Sequence, residues 1–231
     1  MVTLAIAITA ILIRRPSPSV VVSASKYDSF WLWAGVKPQP VLDKARQIYV
    51  LAAEVRHQPP VRLVAQRSAV PHITRADLWM VVRVETLHWP PQLYTQVDNL
   101  LTRWRNAGNR LVGLQIDFNA HTQHLAEYAA FLADLRRRLP PGLKLGTTGL
   151  LDWSANGDPH GLDALAGSVD EVVLQIYQGR HVIPGYQAYI ARLVRMKVPF
   201  RIGLLQDGEW QPPRGLERNP AFRGYVVFLH N

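Results

Sequence analysis

Polar residues fit for acid–base chemistry recur at one end of several short apolar runs. In the run 111–119, Val112, Leu114, Ile116 and Phe118 alternate with Gly113, Gln115, Asp117 and Asn119. Extended backbone points successive side chains to opposite faces, so each set of four shares one face. By the same rule Val81, Arg83 and Glu85 share a face, opposite Leu78, Met80, Val82 and Val84. Ala52 and Glu54 share a third face, and Gln175 and Tyr177 a fourth, the latter opposite Val172, Leu174 and Ile176. Three carboxyl groups, Glu54, Glu85 and Asp117, are thus set late in their runs, with the Arg83 guanidinium among them. Two facing carboxyl groups are the equipment of glycosidic hydrolysis: one protonates the leaving oxygen and the other acts as nucleophile or base. Glu85 with Asp117 would suit the retaining spacing of roughly 5 Å, and Glu54 with Asp117 the inverting one of roughly 6.5–9.5 Å. The competing reading is a structural salt-bridge network in which Arg83 neutralises Glu85 or Glu54.

Alternation of short β-type runs with helical stretches positions these groups. The runs are 30–36, 48–55, 78–87, 111–118, 144–151, 171–177, 200–205 and 224–229. Apolar residues at helical spacing include Leu93, Val97, Leu100, Leu101 and Trp104, then Leu125, Tyr128, Ala129, Leu132 and Leu135, then Tyr186, Tyr189, Ile190, Leu193 and Val194. Eight such units predict a compact α/β protein, a (β/α)8 TIM-type barrel with short or missing outer helices. An open doubly wound sheet would carry a Gly-rich phosphate turn after its first strand, and Gly35-Val36-Lys37-Pro38 is not one. The missing closing helix leaves a seam for the leader or early loops to cover. In such barrels the strands' carboxyl ends form the site, so Glu54, Arg83, Glu85, Gln115, Asp117, Gln175 and Tyr177 are expected to converge there. Trp89, Trp153 and Trp210 fall just after the third, fifth and seventh runs, and Trp31 and Trp33 face inward on the first. Indole faces at a barrel mouth suit stacking on the apolar faces of sugar rings.

Composition bounds the alternatives. The 231 residues are 48% hydrophobic and 19% charged, which excludes wholesale disorder, and the absence of cysteine excludes a disulfide scaffold, thiolate catalysis and cysteine-ligated zinc. The net charge of +9 comes from 21 arginines and 5 lysines spread along the chain, without the interleaved basic and aromatic patch of a nucleic-acid binder, so no specific nucleic acid is expected as a partner. The Arg136-Arg137-Arg138 run reads as a solvated helix end. Val2 to Ile13 is too short an apolar stretch to span a bilayer. Residues 1–25 read as a leader or signal-like segment, which would place the protein in the cell envelope or outside the cell, or in the cytoplasm if the segment is no signal. Residues 26–231 read as a single domain. Asp117, His121 and His124 could form a metal site by spacing, but the reading favoured is helix-start residues near a polar mouth, with no metal and no cofactor. Nucleotide-binding loops and the common hydrolase motifs are absent.

The segment Leu111-Val112-Gly113-Leu114-Gln115-Ile116-Asp117-Phe118-Asn119 resembles the signature strand of chitinase-type (family-eighteen) glycoside hydrolases, Asp-Gly-x-Asp-x-Asp-x-Glu. Gly113 and Asp117 match. Gln115 stands at the first inner aspartate, and Asn119 at the catalytic acid. Leu174-Gln175-Ile176-Tyr177-Gln178 resembles that family's sixth-strand motif, with Tyr177 at the substrate-binding tyrosine. Over most of its length the chain resembles an uncharacterised bacterial family of barrel-like domains of unknown function, often exported. These carry a run like Val50-Leu51-Ala52-Ala53-Glu54-Val55 and an arginine on the third strand. An amide at position 119 cannot protonate a leaving oxygen, so hydrolysis would have to use Asp117 with Glu85 or Glu54. The expectation is a barrel that binds a carbohydrate through Arg83, Gln115, Asn119, Gln175, Tyr177, Trp89, Trp153 and Trp210. It would either cleave that carbohydrate or hold it as a lectin does. A third expectation is surface binding of an anionic polymer.

Overall fold

A computed structural model describes residues 18–118, 125–151, 153, 159–193 and 198–231. Its central sheet closes on itself. The strands β1 (Ser29–Leu32), β2 (Gln47–Arg56), β3 (Asp77–Val84), β4 (Leu111–Asp117), β5 (Lys144–Leu150), β6 (Glu171–Gln175), β7 (Phe200–Leu205) and β8 (Phe222–Phe228) pair in sequence order, all parallel. β1 closes the ring by pairing with both β8 and β2. Outside lie α1 (Pro91–Asn106), α2 (Leu125–Arg138), α3 (Pro159–Ala166) and α4 (Tyr186–Leu193). Among the described residues, no α-helix follows β1, β2 or β7. A short strand, Arg62–Ala65, instead runs antiparallel to the upper half of β2, along the edge that β1 is too short to cover. Arg67 finishes that edge by donating to the Leu51, Leu32 and Trp33 carbonyls.

Two apolar layers follow from strand alternation. Leu78, Met80, Val82, Leu114, Ile116, Val172, Leu174 and Ile176 join the outer core beneath the helices. Trp31, Tyr49, Leu51, Trp79, Val81, Val173, Tyr177 and Leu205 fill the barrel itself. The inner layer is built on glycines opposite indoles. A Cβ at Gly113 would sit 2.3 Å from the Trp79 ring, and one at Gly203 would sit 2.8 Å from the Trp31 ring. α1 buries Leu93, Val97, Leu100, Leu101 and Trp104, the positions that face one side at a period of 3.6.

Two register shifts correct the face assignment. β2 slips between Leu51 and Ala53 against β3, so Tyr49 and Leu51 point inward, Ala52 turns to the outer core, and Glu54 returns inward. A β-bulge swaps faces where strict alternation does not. A second shift, at Leu78/Trp79 against β4, lets Val112 pack on the inner layer rather than the outer one. The expected seam cover is present. Val22 and Ala24 are buried, Val20–Val21 pairs with Glu209–Trp210, and Tyr27 meets the Tyr225 ring of β8 at 5.6 Å. Packed chain therefore begins earlier than residue 26. Residues 1–17 of the leader segment lie outside the described residues.

Candidate functional site

The barrel interior carries polar groups at both ends. At the amino ends of the strands, the Tyr49 hydroxyl donates to Glu171 Oε1 at 2.5 Å and Arg201 Nε to Glu171 Oε2 at 2.7 Å. Arg201 also donates to the Arg223 carbonyl at 2.6 Å, across a β8 bulge where Gly224 takes φ 94°. Trp79 stacks on Tyr49 at 5.5 Å and closes this floor from above. Burial, with the adjacent Glu171 charge, pushes the Tyr49 phenol well above its ordinary value.

At the carboxyl ends, Glu54, Arg83 and Asp117 form one register row across β2, β3 and β4. Thr148 on β5 extends it, donating its hydroxyl to Asp117 Oδ1 at 2.8 Å. Asp117 is only 7% exposed. Burial pushes its carboxyl above the ordinary value and the Glu54 charge adds to this, against the Thr148 hydrogen bond and the Arg83 charge. One strand repeat deeper, Gln115 Oε1 accepts from Trp31 Nε1 at 2.7 Å, while its Nε2 is buried without a hydrogen-bond partner. The buried Tyr177 hydroxyl likewise closes no hydrogen bond of good geometry. Burial drives that phenol well above its ordinary value, the Asp117 charge adds to this, and neighbouring Gln175 pulls the other way. Aromatic rings edge the row. Half-buried Trp33 meets Phe228 at 5.7 Å, and Phe228 meets Tyr177 at 5.4 Å. The Arg83 guanidinium lies over Trp33, 5.4 Å from the ring centroid, and makes no ion pair or hydrogen bond among the described residues.

The convergence expected at the carboxyl end therefore holds for Glu54, Arg83, Gln115, Asp117 and Tyr177, with Gln175 beside them. Glu85 stands apart. It lies just past β3, exposed, and its carboxylate accepts the His57 backbone N–H at 2.9 Å. Glu54, and not Glu85, is the carboxylate whose charge reaches Asp117, and Glu54 is itself bridged to Arg56 at 3.3 Å. Trp89, Trp153 and Trp210 are not at the mouth. All three are buried in the outer layer: Trp89 against Tyr94 and Phe131, Trp153 against Tyr128, and Trp210 against Tyr186 and Tyr225. An indole just past a strand end can fold outward beneath a helix as readily as inward. Asn119, His121 and His124 lie outside the described residues, among which no cluster of three metal-binding side chains occurs. Sequence alone does not mark Thr148 or Phe228 as site residues. Alternation along 144–150 would have exposed Thr148, but a lone threonine carries no chemical signal.

Residues 76–189 match the family model described as "Domain of unknown function (DUF3142)". No curated protein matches the sequence. Among solved structures, the chain is similar to the spore cortex-lytic enzyme SleL of Bacillus cereus, with TM-score 0.51 and 16% identity over 76% of this chain. It spans about half, 49%, of that protein's chain. It is also similar to the chitinase domain of the spore coat protein CotE of Clostridium difficile, with TM-score 0.54 and 12% identity over 87% of this chain and 68% of that one. A third neighbour is a xylanase and α-amylase inhibitor protein, XAIP-I, solved with trehalose, with TM-score 0.53 and 9% identity over 87% and 92%. At these identities the likeness is one of fold: a chitinase-like TIM barrel.

Proposed function

We propose that the carboxyl-end mouth binds a saccharide and that the protein acts as a carbohydrate-binding barrel. The observation carrying this is the pairing of an aromatic edge with unused buried polar groups. Trp33 offers a partly open indole face, and below it Gln115 Nε2 and the Tyr177 hydroxyl lack a hydrogen-bond partner among the described residues. Leaving a buried polar group unpaired costs about 1–3 kcal/mol, so a ligand rich in hydroxyl and amide groups would recover that cost. Apolar face plus convergent polar groups is the chemistry a sugar ring matches. The barrel neighbours include both hydrolases and an inhibitor protein solved with a disaccharide, which is consistent with sugar binding with or without turnover. Calorimetry against neutral and acidic oligosaccharides tests the reading. Binding should weaken about tenfold in Trp33→Ala, through loss of a stacking face. Failure of every sugar to bind would overturn it.

One observation favours turnover as a second reading. Burial holds the Asp117 carboxyl toward its protonated form, as a proton donor requires. Glu54, two strands away, is separated by roughly 9–10 Å of backbone, the wide spacing of an inverting pair. Asp117→Asn should then abolish cleavage while sparing affinity. A wild-type chain that binds and does not cleave would leave binding alone.

A further inference from the structure

Resting on the reading of the mouth as a saccharide site, we propose that its saccharide is acidic and that a carboxylate or sulfate group of the sugar seats against Arg83.

The balance of donors and acceptors at this end of the barrel points that way. Arg83 brings five N–H groups in a planar fork and can accept nothing. Its place in the register row puts it between two carboxylates, yet neither is closed onto it. Glu54 is bridged to Arg56, and Asp117 takes the Thr148 hydroxyl while burial favours its neutral form. The buried atoms here without a hydrogen-bond partner among the described residues are an amide donor and a hydroxyl: Gln115 Nε2 and the Tyr177 hydroxyl. A neutral sugar presents hydroxyls that donate as often as they accept, and it would leave the guanidinium without an anionic partner. A carboxylate or sulfate supplies acceptor oxygens only, and a planar carboxylate matches the guanidinium fork in two parallel hydrogen bonds. Trp33 holds the guanidinium from one face, which limits its rotamers and reduces the entropy lost on engagement. The net charge of +9 adds a long-range attraction for any polyanion without distinguishing among them, so the test must separate the site from the field.

The experiment is calorimetry on the full chain with a uronic-acid oligosaccharide, its carboxyl-reduced neutral counterpart and a sulfated oligosaccharide of equal length. The wild type should bind at least one acidic sugar about tenfold or more tighter than the neutral one, the scale of a charge-assisted hydrogen bond. Preference for the carboxylate would identify fork-to-fork pairing, and preference for sulfate a tripodal anion. Arg83→Gln should erase the difference between acidic and neutral sugars, and Arg83→Lys should keep part of it. Arg105→Gln, exposed on α1, should leave the difference intact. Equal affinity for acidic and neutral sugars would overturn the proposal and leave the saccharide reading standing. So would a preference that survives Arg83→Gln or disappears in Arg105→Gln, or DNA oligomers binding as tightly as the acidic sugar. No binding in any arm would overturn both.

Discussion

Two ends of one barrel treat buried polar groups in opposite ways. At the floor, Tyr49, Glu171, Arg201 and the Arg223 carbonyl satisfy one another, and the Trp79 ring roofs them. At the mouth, the buried Gln115 Nε2 and Tyr177 hydroxyl have no hydrogen-bond partner among the described residues, the exposed Arg83 stands beside them, and Asp117 sits where burial disfavours its charge. Buried charge is a poor guide to function unless its partners are known, because both ends would score alike by residue type. Satisfaction separates them: a closed network holds a fold, and an open one awaits a partner.

The sharpest way to break this comparison is at the floor. Glu171→Gln leaves Arg201 buried without its counter-ion and should destabilise the fold by about 3 kcal/mol, read from urea midpoints. A stability change within experimental error would show that the floor is not the structural end. Next in size is Gly113→Ala. Its methyl group must displace the Trp79 ring, so a loss of about 1–3 kcal/mol is expected in the same assay. At the mouth, Tyr177→Phe removes a hydroxyl that closes no hydrogen bond of good geometry among the described residues. Stability should hold or rise, while affinity for the bound sugar falls by about 1 kcal/mol. A destabilised Tyr177→Phe would make the hydroxyl structural and blur the two ends.

The smallest effect is the pH dependence of Asp117. Its folded carboxyl holds its proton at a pH where the unfolded chain has lost it, because burial raises it. Folding is therefore favoured at low pH, and this contribution is lost as pH rises from the ordinary carboxylate value to the higher folded one. Asp117→Asn should flatten that part of the stability profile and leave the protein slightly more stable at neutral pH. A profile that keeps its slope in this variant would place the titration elsewhere.

Most of the mouth was legible because alternation is a strict consequence of extended backbone. Gly113, Gln115 and Asp117 point inward as the period of two requires, and so do Val81, Arg83 and Tyr177. Alternation fails at bulges, which leave no mark in residue type, and so Ala52 and Val112 take the faces opposite to those that a strict period of two gives them. The floor went unread for a different reason. Tyr49, Glu171 and Arg201 are far apart in sequence and meet only when the ring closes. The three loop tryptophans misled because proximity to a strand end does not say which way a side chain turns, whereas Trp33 could be placed from the phase set by Trp31.

That placement gives the protein a built-in optical reporter. Of its seven tryptophans, Trp31, Trp79, Trp89, Trp104, Trp153 and Trp210 are buried, and Trp33 alone is half-open. Six indoles sealed in dense packing are out of reach of a collisional quencher such as acrylamide or iodide. The quenchable fraction of the emission then belongs to one ring, the one at the mouth beside Arg83. Iodide, drawn toward that guanidinium, should quench it more efficiently than caesium does. Shielding of this one component would report occupancy of the mouth by any molecule, before its chemistry is known.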